Sequence, residues 1–573
     1  MISVQKHFVP SWRRRLATFA FIFIAVLIWR YFHLFDFGLY EDDFTRIPRA
    51  MSMSYGELWN TILRLFRILG GQGRPFHDVL IYLFAGTIGR WFGLWSLYLL
   101  GAFFFSVNIA LLYELLMKVS SKSLAIIACL AFLLFPADTT QIYLTHSLGV
   151  QPALTAILLA YHLSLRGQHA WAYLAAFFSL FCYETIFLLF LAAPLMVRGI
   201  KRNSIRPFLR HLVIILALLV SAVLLRLWIG ESRALSIDFQ TIITTPFLHM
   251  VQGPFVSMGA YFLRPYQVLT GGRWDLVLIA IGSVFILAGL SWYFLRDLCR
   301  RKPAVLQDHD GGTFNLGGIR IKLSSVQWHY FQYMLIGSFL LLVAYPLTFT
   351  VRAYAITGRD TRVHLAAAFG AAILFASVVC FSLTVVRRSA FRYVTSSIVV
   401  LVLAMNGSFA YKIQLDYQRS WEEQQEFWSY LTRSCSDVDE GTILLLEPAA
   451  SDEKRQISSN SWNLPRILEQ LFQFPDSWQD LPRVYLLADS WYESILDSNG
   501  DFVLSGTTTL APPSLYRTVD PGNVILLRDS GDSYERIFVV EIHGEEVGLK
   551  VRGEDNLREM QRQPLYEALI GDV

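Results

Sequence analysis

The chain has 573 residues, 54% of them hydrophobic and only 16% charged, with a mean hydropathy of +0.42. Such apolar content excludes a disordered, collagenous or coiled-coil chain, and five cysteines spread along the length exclude a disulfide-rich scaffold. The net charge of +4 is a cancellation: residues 412–573 carry 14 Lys+Arg against 29 Asp+Glu, or −15, leaving 35 against 16, or +19, for residues 1–411.

A helical membrane span needs about 20 mostly apolar residues, and residues 1–411 contain such runs repeatedly. The sequence predicts an α-helical polytopic membrane protein of about eleven spans. The clear runs are Leu16–Leu34, Leu97–Met117, Trp171–Val197, Phe208–Ile229, Leu276–Leu295, Tyr330–Thr350, Val363–Val386 and Tyr393–Tyr411. Three shorter ones, His77–Gly89, Leu124–Pro136 and Ser147–Leu165, are interrupted by Gly, Pro or polar residues. The first run follows Arg13, Arg14 and Arg15 but lacks a small-residue cleavage site, so it reads as a retained anchor.

Basic clusters at Arg13–Arg15, Arg198–Arg210, Arg296–Lys302 and Arg387–Arg392 fall on one side if the count is eleven. The positive-inside rule then makes the N-terminus cytoplasmic, in a multi-pass protein of the plasma (inner) membrane. This count sends the Lys118/Lys122 pair to the opposite, outer face. Between Arg296 and Ser325, Gly311-Gly312 and Gly317-Gly318 read as turns and not as a phosphate cradle, since no P-loop Lys-Ser/Thr follows.

Residues 412–573 change pattern to short β-rich runs, Thr442–Leu446, Val484–Leu487, Val524–Leu527 and Ile537–Ile542, with helices near Trp421–Leu431 and Leu464–Phe472. They predict a small, extracytoplasmic α/β soluble domain, with Cys435 as its single cysteine.

The chemistry is expected in the first outer loop, residues 36–76. Glu41, Asp42 and Asp43 stand in a row just beyond the first span. A carboxylate beside a bilayer is costly unless it is used. One reading is a solvated loop with an Asp capping a helix; the other is a general base taking a proton from an acceptor hydroxyl or amine. Next, Leu58, Ile62, Leu65, Phe66 and Leu69 mark an amphipathic helix within Ser54–Leu69, placed either in the outer interface or against the bundle. A Gly-rich turn leads back through Arg74, a candidate to pair a phosphate or balance the carboxylates, to His77 and Asp78, both candidate cavity residues. Glu184, inside an apolar run, is a further candidate, while Glu114 is nearer a span end.

An acidic pair after the first span, a juxtamembrane helix and a return through an Arg-Pro turn resemble the GT-C class of polytopic glycosyltransferases. The resemblance is to the protein mannosyltransferase and aminoarabinose transferase branch and its bacterial relatives, carried by Tyr40-Glu41-Asp42-Asp43-Phe44. It implies a polyprenyl-phosphate-linked sugar donor, a glycan, lipid or protein acceptor, inversion at the anomeric carbon, Asp42 as catalytic carboxylate and Asp43 as its partner. The Asp-Asp pair departs from the Asp-Glu of many relatives and leaves open which carboxylate is the base.

Arginines suited to a leaving phosphate are Arg233, Arg264 and Arg273 in loop 230–275, and Arg352, Arg359 and Arg362 in a later outer loop. No cofactor is required by this reading and a divalent cation is allowed; membrane lipids are expected partners and nucleic acid is not. The competing readings are a transporter or flippase of lipid-linked saccharides, an O-antigen polymerase or ligase, and a docking module on an inert anchor. A transporter would show two similar halves and paired midplane charges, which the sequence lacks.

Overall fold

The computed structural model describes residues 12–68, 73–200, 204–231, 239–270, 274–285, 313–316, 319–349, 352–386, 388–447, 464, 467–487, 502–503, 518–531, 533–542 and 545–571. The chain forms two compact units that do not follow chain order. One comprises Met1–Phe35, Trp59–Phe84 and Phe92–Leu415; the other comprises Asp36–Leu58, Ala85–Trp91 and Asp416–Val573.

The first unit is helical. Among the described residues of the chain, five helices are long and apolar enough to cross a membrane: Leu94–Val119, Leu144–Leu165, Ile205–Trp228, Ala367–Val385 and Ala390–Ser434. The helix Ile205–Trp228 buries only His211, Ile215 and Ala222, so its apolar surface faces outward. Ala367–Val385 is buried along most of its length. Gly370 and Gly337 make close packing possible there, since a methyl group on either would press into the facing backbone. Of the long runs read from sequence, Leu276–Leu295 is described only over the helix Trp274–Phe285.

Several expected spans take a different form. Trp171–Val197 is not one helix: His169–Cys182 ends at Tyr183, whose backbone is extended, and Glu184–Phe187 begins a new helix that runs through a 3-10 stretch, Leu188–Ala192, into Ala193–Arg198. His77–Gly89 is a short helix, Pro75–Phe84, followed by a π-turn, Ala85–Gly89. Lys118 is not at the end of the bundle opposite Arg13–Arg15. Arg15 and Lys118 both reach Glu114, at 3.5 and 4.0 Å, so Trp12–Arg30 and Leu94–Val119 run antiparallel and share one basic end. One carboxylate thus offsets two cations that an apolar environment would otherwise separate. The segment between Lys122–Leu133 and Leu144–Gly149 is non-helical yet wholly buried. Asp138 turns it, its Oδ1 accepting from the Thr140 amide and hydroxyl at 2.9 and 2.7 Å.

The expected Tyr393–Tyr411 span and the helix near 421–431 are one helix, Ser389–Ser434. Residues 412–420 contain neither Gly nor Pro, so nothing stops it.

In the second unit a four-stranded sheet has Ile443–Glu447 between Arg483–Leu486 and Val524–Asp529, both parallel to it, and Tyr534–Ile537 antiparallel at the edge. Ile443 through Leu446 and Val524 through Leu527 are buried on both faces, which explains their unbroken apolar letters. Ile443, Leu445, Tyr485, Val524 and Leu526 pack into one core. The expected strand Ile537–Ile542 is split, since Val539–Ile542 pairs instead with Glu545–Gly548. Thr313–Leu316 pairs antiparallel with Ile319–Lys322, while Gly311-Gly312 and Gly317-Gly318 lie outside the described residues.

Candidate functional site

In the second unit the acidic stretch is bound to the far part of the long helix. Gly38 lies so close to Trp421 that any side chain there would overlap the indole. The Tyr40 hydroxyl donates to the Tyr417 carbonyl at 2.7 Å and accepts from the Gly38 amide at 3.2 Å, while the two tyrosine rings meet edge to face at 4.7 Å. Burial, reinforced by the charges of Asp43 and Glu422, pushes the Tyr40 phenol well above its ordinary range, so it remains a neutral donor.

From this anchor Glu41 takes φ +51°, the left-handed region that a residue with a Cβ rarely adopts. Asp42 stands at the N-cap of the helix Asp43–Ser52, but its side chain makes no capping hydrogen bond. Its carbonyl accepts from Thr45 Oγ1 at 2.9 Å. Asp43 is fully buried and Asp42 half-buried. The capping role that a sequence reading allows for Asp42 is therefore not what its carboxylate does. By contrast, Ser54 and Glu57 do form a reciprocal cap at the start of Tyr55–Arg67.

The helical unit holds the other candidates in two groups. In the first, Gly73 turns with φ +65° beneath the Arg226 side chain, which fills the place a Cβ would need. Arg74 then grips Glu184 with both arms of its fork, Nε to Oε2 at 2.8 Å and an Nη2 bond to Oε1. Arg226 reaches the same carboxylate at 3.3 Å, donates to the Gly73 carbonyl at 3.3 Å, and faces Glu231 at 3.6 Å. The Arg74 guanidinium lies 4.5 Å over the Tyr183 ring. His77 Nδ1 meets Asp78 Oδ1 at 3.0 Å, and the His77 ring rests against Gly149. Arg74, His77 and Asp78, close together in sequence, thus converge with Glu184, 110 residues from Arg74, around the broken helix at Tyr183. Arg226 and Glu231 escaped the sequence reading, although a lone Arg in an apolar run is the kind of signal that marks such a site.

The second group joins Arg264, which lies on the helix Phe239–Thr270 and not on the loop expected for residues 230–275, to the loop after Ser325–Val343. Arg264 is 1% exposed, gives Nη1 to Gln267 at 2.7 Å and Nη2 to the Ile356 carbonyl, and lies 4.8 Å over Phe409. Its Nε has no hydrogen-bond partner, and no carboxylate among the described residues pairs with it. Arg352 binds the Tyr354 hydroxyl at 2.5 Å, and Arg359 lies 3.8 Å from Asp360. Thr361 ties this loop to the buried segment through Thr139 at 2.9 Å. Arg233 and Arg273 lie outside the described residues. No cluster of three or more His, Cys, Asp or Glu suited to a metal ion occurs among the described residues.

Comparison of the chain with protein-family models, with curated proteins and with solved structures finds no match in any of the three. The class that fold and composition define is a helical protein with several helices able to cross a membrane and a small sheet-containing unit.

Proposed function

We propose that the chain is an integral membrane glycosyltransferase of the GT-C type, moving a sugar from a polyprenyl-phosphate-linked donor to an acceptor at the outer membrane face. A polytopic bundle, a cytoplasmic N-terminus and an extracytoplasmic C-terminal region belong to this reading, with Lys118 on the same side as Arg13–Arg15. One observation carries it: the row Glu41-Asp42-Asp43 is held by a strained backbone and a buried tyrosine anchor. Strain of that kind persists where the surroundings enforce it, and it clusters at working sites.

Asp42 is the general base that takes the proton from the acceptor hydroxyl or amine as its oxygen or nitrogen attacks the anomeric carbon. The bond from that carbon to the phosphate oxygen breaks, and the polyprenyl phosphate leaves with the electron pair. Asp43, buried beside it in sequence, positions the base. Within the helical unit, Arg264, which pairs with no carboxylate among the described residues, is the candidate for binding a lipid phosphate, with Arg352 and Arg359 on the loop that its side chain reaches. Arg74 is assigned a different role from that expected of a phosphate ligand, because its fork is filled by Glu184.

The test is to incubate the purified full-length protein with polyprenyl-phosphate sugars and acceptor extracts, and to follow release of polyprenyl phosphate. Release that depends on an acceptor is the expected result. Movement of the intact lipid-linked sugar across vesicles without any bond broken would instead establish the carrier reading.

A further inference from the structure

A second surface of the helical unit, at the end bearing Arg13–Arg15, combines an apolar groove with a cluster of cations. The groove has a volume of about 460 Å³ and is lined by Leu163, Gln168, Trp171, Leu174, Ala175 and Phe178. It lies along the first turns of His169–Cys182 and starts at the tight turn made by Gly167, φ +76°. Trp171 and Leu174 are 63% and 53% exposed, so the groove is open to whatever surrounds the helices. At its mouth Arg166 is exposed. Lys118 Nζ lies 3.2 Å from His162 Nδ1, one turn before Arg166. Arg15 and Arg166 both act electrostatically on Lys118. Glu114 is the one carboxylate placed among these three cations in the described residues, bridged by Arg15 and Lys118. The net charge at the mouth is therefore positive, next to a lateral slot with no charged lining.

We propose that this surface binds one anionic phospholipid, its phosphate at Lys118 and Arg166 and an acyl chain in the slot beneath Trp171. The charge pattern selects the occupant. A zwitterionic lipid would fill the slot equally well but would gain little from cations that already repel one another, whereas an anionic headgroup relieves that repulsion. Trp171, with an apolar body and one N–H, suits the boundary between chain and headgroup. This site is independent of the acidic row and of Arg264, and it stands whether or not the transferase reading does.

The experiment titrates dioleoylphosphatidylglycerol, dioleoylphosphatidylcholine and inorganic phosphate into the full-length protein in mild detergent and reads the unfolding midpoint. The expected result is a saturable rise with phosphatidylglycerol alone. Affinity should weaken about fivefold for each cation removed, hence about twenty-five-fold in a Lys118→Gln/Arg166→Gln variant, and also in part in Trp171→Ala. An exposed cation elsewhere, in Arg388→Gln, should leave the titration unchanged. An equal response to both lipids, a response reproduced by inorganic phosphate, or an unaltered titration in the double variant and in Trp171→Ala would overturn the proposal.

Discussion

Two buried arginines, one in each unit, are treated in opposite ways. Arg536, in the sheet-containing unit, gives Nη1 and Nη2 to Asp437 at 2.6 and 2.9 Å, and Asp437 also accepts from the Gly553 amide at 3.0 Å. Both side chains are nearly inaccessible, at 3% and 4%. Arg264, in the helical unit, is buried to the same degree and meets a carbonyl, an amide oxygen and a ring but no carboxylate among the described residues, while the Nε of both arginines lacks a hydrogen-bond partner. Burial of a charge is tolerated when a partner repays the lost hydration. Arg536 has that partner within the chain, and Arg264 is arranged as if its partner comes from outside.

The same substitution breaks or sharpens this contrast. Arg536→Met strands the Asp437 carboxylate and should cost about 3–5 kcal/mol, read as a drop in the denaturant midpoint of the sheet-containing unit. Leu445→Ala, in the core of that sheet, should cost about 2–5 kcal/mol by the same measurement. Gly73→Ala forces a left-handed backbone on a residue with a Cβ and displaces Arg226, so it should destabilise by at least about 1 kcal/mol. Arg264→Met should change stability by less than about 1 kcal/mol, because it removes an uncompensated charge, yet it should weaken polyprenyl-phosphate binding in an equilibrium assay. A loss of stability as large as that of Arg536→Met would end the contrast.

The contrast also has a pH signature. Burial alone would raise the Asp437 carboxyl, but the Arg536 hydrogen bonds, the Gly553 amide and the Arg536 charge outweigh it and hold it below the ordinary carboxylate range. A carboxyl depressed on folding contributes stability that is complete above its unfolded pKa, about 3.9, and is lost as pH falls through the lower folded value. Acid unfolding of the sheet-containing unit should therefore flatten below pH 4 in Asp437→Asn relative to the parent. Cys435 adds nothing to this, since burial pushes its thiol up to about 12.

What the sequence reveals depends on the range of the forces involved. Leu94–Val119, Ile205–Trp228 and Ala367–Val385 are legible because each is a continuous apolar run that satisfies its own backbone. The strands Ile443–Glu447 and Val524–Asp529 are legible because both faces are buried. The break at Tyr183 is not, since the letters on either side are equally apolar and the cause lies in Glu184, which is drawn to Arg74 and Arg226 across 110 and 42 residues. The shared basic end is hidden for the same reason, as it depends on Arg15 meeting Glu114. Within the acidic row, letters alone place three carboxylates at a membrane edge, whereas the differing exposure of Asp42 and Asp43 depends on the packing of Tyr40 against Tyr417.

The central claim is that Asp42 performs the proton transfer. Its most direct measurement compares the turnover of the parent and Asp42→Asn proteins, both purified at full length, with a polyprenyl-phosphate sugar at saturation. Loss of a general base should lower turnover by about 100-fold or more, with the unfolding midpoint unchanged. Equal turnover in the two folded proteins would contradict the account.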